Sequence, residues 1–142
     1  MRKLFLLSLL GLFPEWVSAS HLMGGQITYQ CISNNPRRYR IRVTLYRDCN
    51  GIPAPGSVWL EFVPQGNCGA GTQSLTLSPI GGTGQDITPV CSGQPSRCNG
   101  NNPYGWEEWV YEGIFEPPAP NCVWRIAWSL CCRNDAITNL QD

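Results

Sequence analysis

Hydrophobic residues recur at every second position through much of the chain, most cleanly over 38–47. There Tyr39, Ile41, Val43 and Leu45 fall on one side, and Arg38, Arg40, Arg42, Thr44 and Tyr46 fall on the other. A period of two sends alternate side chains to opposite faces of a β-strand, so the first set is a candidate core and the second a solvent face. The same reading places a strand over 22–33, with Ile27, Tyr29 and Cys31 sharing a side, joined to the next through Asn34, Asn35 and Pro36. Asn tolerates the left-handed region and Pro cannot donate to a ladder, so these residues predict a hairpin turn.

Further strands are predicted over 57–63, with Val58, Leu60 and Phe62 on one face, and over 73–77. A short one follows around 85–88, and another spans 104–115, where Trp, Tyr, Val and Ile are dense. The stretch 122–134, CVWRIAWSLCCRN, holds three of the eight cysteines and two of the six tryptophans. Its alternation puts Cys122, Trp124, Ile126, Trp128, Leu130 and Cys132 on one side, which predicts a half-buried strand around which the other strands assemble. Between the strands, 78–103 is rich in Gly, Pro, Ser and Asn, and a connection of that length is either functional or pinned. About seven strands and no helix predict an all-β fold, an antiparallel two-sheet sandwich of Ig-like kind, because each sheet must bury its apolar face on something.

Cysteine content changes this picture from a plain sandwich to a stapled one. Eight cysteines in 142 residues are an even set, and such usage belongs to an oxidising compartment. All eight, Cys31, Cys49, Cys68, Cys91, Cys98, Cys122, Cys131 and Cys132, are candidate disulfide residues. Closeness in sequence suggests Cys91 with Cys98, and strand geometry makes Cys31 or Cys49 partners for Cys131 or Cys132. Zinc sites use cysteines spaced by two to four residues and redox sites use CxxC, and neither spacing occurs here.

The N-terminus agrees with export. Arg2 and Lys3 precede an apolar run over 4–13, and Val17, Ser18 and Ala19 offer small residues for cleavage, so 1–19 is predicted to be a signal peptide and 20–142 the mature domain. The run is shorter than the roughly 20 residues of a membrane-spanning helix. Its removal takes away Arg2, Lys3 and Glu15 and leaves eight arginines against nine acids, a balance that argues against nucleic acid as a partner.

Candidate chemistry is sparse. His21 is the only histidine, so a copper site lacks its second imidazole and a nucleophile–histidine pair has only this terminal residue to use. Glu107 and Glu108 point to opposite faces of a strand and cannot flank one glycosidic bond, while Glu108 with Glu112 or Glu116 reads better as solvated strand charge. Asp48, Asn50 and Gly51 match only the opening of a calcium loop. Binding is better represented. Trp106, Trp109 and Tyr111 form a candidate aromatic platform for a sugar, set against their use in packing. Arg38, Arg40 and Arg42 form a basic stripe suited to an anionic polysaccharide or headgroup, set against a solvated strand face. Neither a catalytic set, a metal site nor a cofactor is predicted, and the expected partners are surface polysaccharide or another cell-surface protein.

The ordered segments 20–29 (SHLMGGQITY), 44–51 (TLYRDCNG), 87–91 (ITPVC), 131–134 (CCRN) and 136–140 (AITNL) together resemble the N-terminal region of large secreted surface proteins of the Bacteroidetes. In such proteins this region precedes Ig-like or PKD-type repeats, and many end in a gliding-motility-associated or type IX secretion sorting domain. The resemblance implies export and a non-enzymatic, adhesin-like role at the cell surface, and it supplies no catalytic residues. Residues 136–140 read as the start of another strand, so the expectation is a domain continuing past Asp142. The alternative expectation is a free-standing carbohydrate-binding module.

Overall fold

The computed structural model describes residues 22–130. The strands are β1 (Leu22–Asn34), β2 (Arg37–Asp48), β3 (Val58–Gln65), β4 (Gln73–Pro79), β5 (Gln85–Asp86), β6 (Trp106–Phe115) and β7 (Val123–Ala127). All pairings are antiparallel, and the described residues contain no helix. No segment among them is therefore a helix long and apolar enough to cross a membrane. The strand order is β1-β2-β6-β4-β3-β7, with β5 paired to β6 beside that path. β4 joins the two halves: most of its length pairs with β3, and its last two residues, Ser78 and Pro79, pair with Glu112 and Tyr111 of β6. The sheet folds over at this point, giving a sandwich of β1-β2-β6 against β4-β3-β7.

Alternation explains the core. Ile41, Val43 and Leu45 of β2, Val58, Leu60 and Phe62 of β3, Leu77 of β4, and Tyr111 and Phe115 of β6 are all buried and form one cluster. Val43 pairs with Tyr111, and Ile41 with Gly113, so the inward rows of β2 and β6 lie side by side. Gly113 has a specific use: a Cβ there would lie 2.5 Å from Leu77 Cδ2, so its absence admits Leu77 from the other sheet. At the far end of the core Phe62 and Phe115 stack with centroids 3.9 Å apart, and Trp124 meets Phe115 edge-on at 5.4 Å. The edge-to-face contact suits the ring quadrupoles. The Tyr111 hydroxyl donates to the Pro55 carbonyl at 2.7 Å, which satisfies the one polar atom of that buried ring, and burial raises its pKa.

Two expectations are corrected in place. The stretch 122–134 is not the centre of the domain. β7 is a five-residue edge strand paired only with β3, and the chain leaves strand geometry after Ala127. Its inward alternation does hold, because Trp124 and Ile126 pack against the core while Val123 and Arg125 are exposed. Thr44, assigned to the solvent side, is buried between its neighbours Gln26 and Val110, since a residue in an interior strand is screened from both sides. β1 is the opposite edge, with Tyr29 71% exposed although it lies on the same side as Ile41. The expected strand over 136–140 and the signal peptide lie outside the described residues.

Candidate ligand pocket

The long connection between β5 and β6 is tied down at several points. Asp86, at the end of β5, accepts hydrogen bonds from the Thr88 amide (3.0 Å), the Thr88 hydroxyl (2.5 Å), the Asn99 side-chain amide (3.2 Å) and the Ser96 hydroxyl. Ser96 is buried, and its hydroxyl in turn accepts from the Cys98 amide at 3.0 Å. Hydrogen bonds to the ionised form, from Ser96 first and then Thr88, hold the Asp86 carboxyl below its ordinary value. The Thr88 hydroxyl also accepts from the Trp106 amide at 2.8 Å, linking the loop to the first residue of β6.

Covalent closure completes the cap. Cys49, just past β2, is bridged to Cys98, with a Cα–Cα distance of 5.1 Å. Backbone bonds run alongside, from the Cys49 amide to the Gly105 carbonyl (2.9 Å) and from the Arg97 amide to the Tyr104 carbonyl (2.8 Å). Gly105 is needed for this approach, because a Cβ there would lie 2.7 Å from the Cys98 amide nitrogen and 2.6 Å from Arg97 Cβ. Arg97 reaches Asn50 Oδ1 at 2.8 Å, and the Asn50 amide donates to Asp48 Oδ1 at 2.8 Å. The residues that resembled a calcium loop therefore close a turn and hold an arginine.

The cap carries an open cleft of about 450 Å³. Its lining comprises Thr88, Pro89, Val90, Cys91, Gln94, Asn102, Tyr104 and Trp106. Trp106 is half-buried and Tyr104 is 66% exposed at the mouth. Asn102 Oδ1 accepts from the Tyr104 amide at 3.1 Å, fixing the tyrosine's backbone. The lining offers two aromatic rings and two carboxamides, and its described members include no carboxylate, histidine, lysine or arginine.

Of the aromatic platform read from the sequence, only Trp106 faces this cavity. Tyr111 is wholly buried and presents no face to a ligand. Trp109 lies half-buried on the inward row, with its Nε1 donating to Glu107 Oε2 at 2.9 Å and its ring against Gly84. The basic stripe is largely compensated. Arg42 meets Glu112 at 2.5 Å, Arg40 approaches the same carboxylate at 3.9 Å, and Arg38 pairs with Glu116 at 3.4 Å. Glu112 is the cross-strand partner of Arg42, and Arg40 reaches it diagonally from its place opposite Ile114.

The local pairing Cys91–Cys98 is corrected, because Cys98 is taken by Cys49. Cys49 is likewise unavailable to Cys131 or Cys132. The second bridge joins Cys68 to Cys122, tying the β3–β4 turn to the start of β7. Cys31 and Cys91 are exposed and bridge no described cysteine. Cys131, Cys132 and His21 lie outside the described residues. Glu107 approaches the Cys49 and Cys98 sulfurs, but these are bonded to each other and offer no thiolate to a metal.

Gln94 and Asn102 were missed because loop residues carry no period, and Tyr104 because the strand expected over 104–115 begins only at Trp106, which leaves Tyr104 in the connection. The available signal was compositional, an aromatic and two amides within a cysteine-bearing connection too long to be idle. Acid should loosen the cap. A carboxyl whose folded pKa is depressed contributes stability that is present above its unfolded pKa and is lost as pH falls through the folded one. Protection of the Cys98 and Trp106 amides, taken relative to the intrinsic exchange rate at the same pH, is therefore expected to fall on the order of tenfold when pH drops well below the ordinary carboxylate range, and Asp86→Ala should give the same fall at neutral pH. Protection unchanged by both pH and the substitution would show that Asp86 does not hold the cap.

Comparison with protein families, curated proteins and solved structures returns no match to this chain.

Proposed function

We propose that this chain is a non-enzymatic interaction module of an adhesin-like protein displayed at the cell surface. The observation that carries the reading is the cap: a long connection stapled by a disulfide and by Asp86, bearing an open cleft whose lining includes two aromatic rings and two carboxamides. Long ordered loops on a rigid β scaffold are where binding residues concentrate. Two disulfides fit an oxidising extracellular setting. The signal-like N-terminus and the ordered motifs resembling secreted Bacteroidetes surface proteins support export and display. In such a module the sandwich is the support, and the cap is the recognising surface.

Surface labelling tests this directly. Intact cells of the source organism are expected to bind antibody raised against the protein and to lose that signal on brief protease treatment. Recovery of the protein only from the cell interior, with its thiols reduced, would overturn the reading.

A further inference from the structure

The open cleft on the cap has a chemistry that selects a ligand class, and we infer that it binds the face of a neutral sugar ring within an oligosaccharide. This rests on the reading of the chain as an extracellular interaction module and names what that module holds. A cavity of about 450 Å³ falls within the roughly 300–1,000 Å³ of small-molecule sites, with room for a ring and part of its neighbour. The walls are Trp106 and Tyr104, with Val90 and Pro89 alongside. Aromatic faces carry negative potential at their centres and attract the weakly positive C–H face of a pyranose while removing apolar area from water.

The polar groups are as informative. Gln94 and Asn102 present carboxamides, which both donate and accept, the pairing that vicinal hydroxyls require. A carboxylate or sulfate ligand would enter without a cation to meet it, since the described lining carries no lysine or arginine. Arg38, Arg40 and Arg42 of β2 lie elsewhere and are engaged by Glu112 and Glu116, and Arg47 is taken by Glu107. The site is also set in advance. The Cys49–Cys98 bridge, the Asp86 cluster and the bond from the Trp106 amide to Thr88 hold both sides of the cavity before any ligand arrives. Preorganisation of this kind spares the ordering cost of binding.

The test titrates the full-length protein with neutral pentaoses of glucose (β-1,4 and β-1,3 linked), mannose, xylose and N-acetylglucosamine, and with oligogalacturonate as the anionic control. Tryptophan fluorescence and the indole N–H resonances are the readouts. At least one neutral pentaose is expected to bind saturably and to shift the Trp106 indole. Tyr104→Ala, at an exposed loop position, should weaken that binding about tenfold, the loss of one well-placed ring contact. Trp59→Ala should leave it unchanged, because Trp59 is an exposed ring on β3, away from the pocket. Gln94→Ala provides a second variant on the polar side, and it too should weaken binding.

The inference is overturned if no neutral pentaose perturbs Trp106 at millimolar concentration. It is equally overturned if oligogalacturonate binds better than every neutral probe, or if Trp59→Ala abolishes binding and Tyr104→Ala does not. Surface labelling is independent of any ligand, so failure of the titration with labelling intact removes the sugar and leaves the module.

Discussion

Phe62→Ala is expected to destabilise the protein by about 3–5 kcal/mol, the range for truncating a buried aromatic. Phe62 is fully buried on β3, stacks on Phe115 of β6, and sits opposite Ile126 of β7. Phe115 in turn meets Trp124 edge-on, so one truncation opens the contact through which the two sheets grip each other. With typical domain stabilities of about 5–15 kcal/mol, the loss takes a large share of the total. Trp59→Ala, one position from the buried Leu60 but on the outer face, should change stability by no more than about 0.5 kcal/mol. Urea denaturation of the three proteins makes the comparison. A cost below about 1 kcal/mol at Phe62 would mean that the sheets do not pack through this residue.

Removing the cap bridge, with Cys49→Ser and Cys98→Ser together, is expected to cost about 4 kcal/mol, the chain-entropy value for a loop of this length. The two cysteines are 49 positions apart in sequence, and the loop they close contains β3, β4 and β5. The effect should also be local. Without the bridge, the cap keeps the Asp86 hydrogen bonds and the backbone bonds beside Gly105, but loses its covalent tie to β2. Sugar binding should weaken along with stability, more than it does in a variant of equal stability loss such as Phe62→Ala. Chemical denaturation with paired titrations reads both effects. Unchanged stability in the double variant would show that the native protein does not contain this bridge.

How far the sequence reveals this molecule depends on what alternation can encode. Period two identified the inward rows of β2 and β3 because each has one face in the core and the other toward solvent, as Ile41, Val43, Val58 and Leu60 show. It overextended β7, since Trp128 and Leu130 continue the alternation after the ladder with β3 has ended. Periodicity reports which side a residue takes, whereas a strand also needs a neighbour to bond with. It did place Trp109 and Tyr111 on one side of β6 and Trp106 on the other, and the first two turn to the core while Trp106 lines the cap pocket. What alternation leaves unsaid is which of the two sides is covered.

The disulfides carry the same lesson. Cys91 and Cys98 are close along the chain, but the Asp86 cluster and the strand-like return through Tyr104 and Gly105 turn Cys98 toward Cys49. A long-range bridge is written in the topology of the sheet and not in spacing. The compensation of Arg42 by Glu112 was latent in the pattern, because it depends on the register between β2 and β6. The single pairing of Arg47 with Glu107 at 2.5 Å is of the same kind, and it closes the core beneath the cap while Arg47 also donates to the Gly51 and Ile52 carbonyls.

The cap is the centre of the account, and one measurement reaches it most directly: proteolytic mapping of the unreduced protein, with linked peptides identified by mass before and after reduction. A peptide containing Cys49 joined to one containing Cys98 is the expected result, alongside the Cys68–Cys122 pair. Cys98 found joined to Cys91 would contradict it, for the loop would then be closed on itself and the pocket of Tyr104 and Trp106 would lose its anchor to β2.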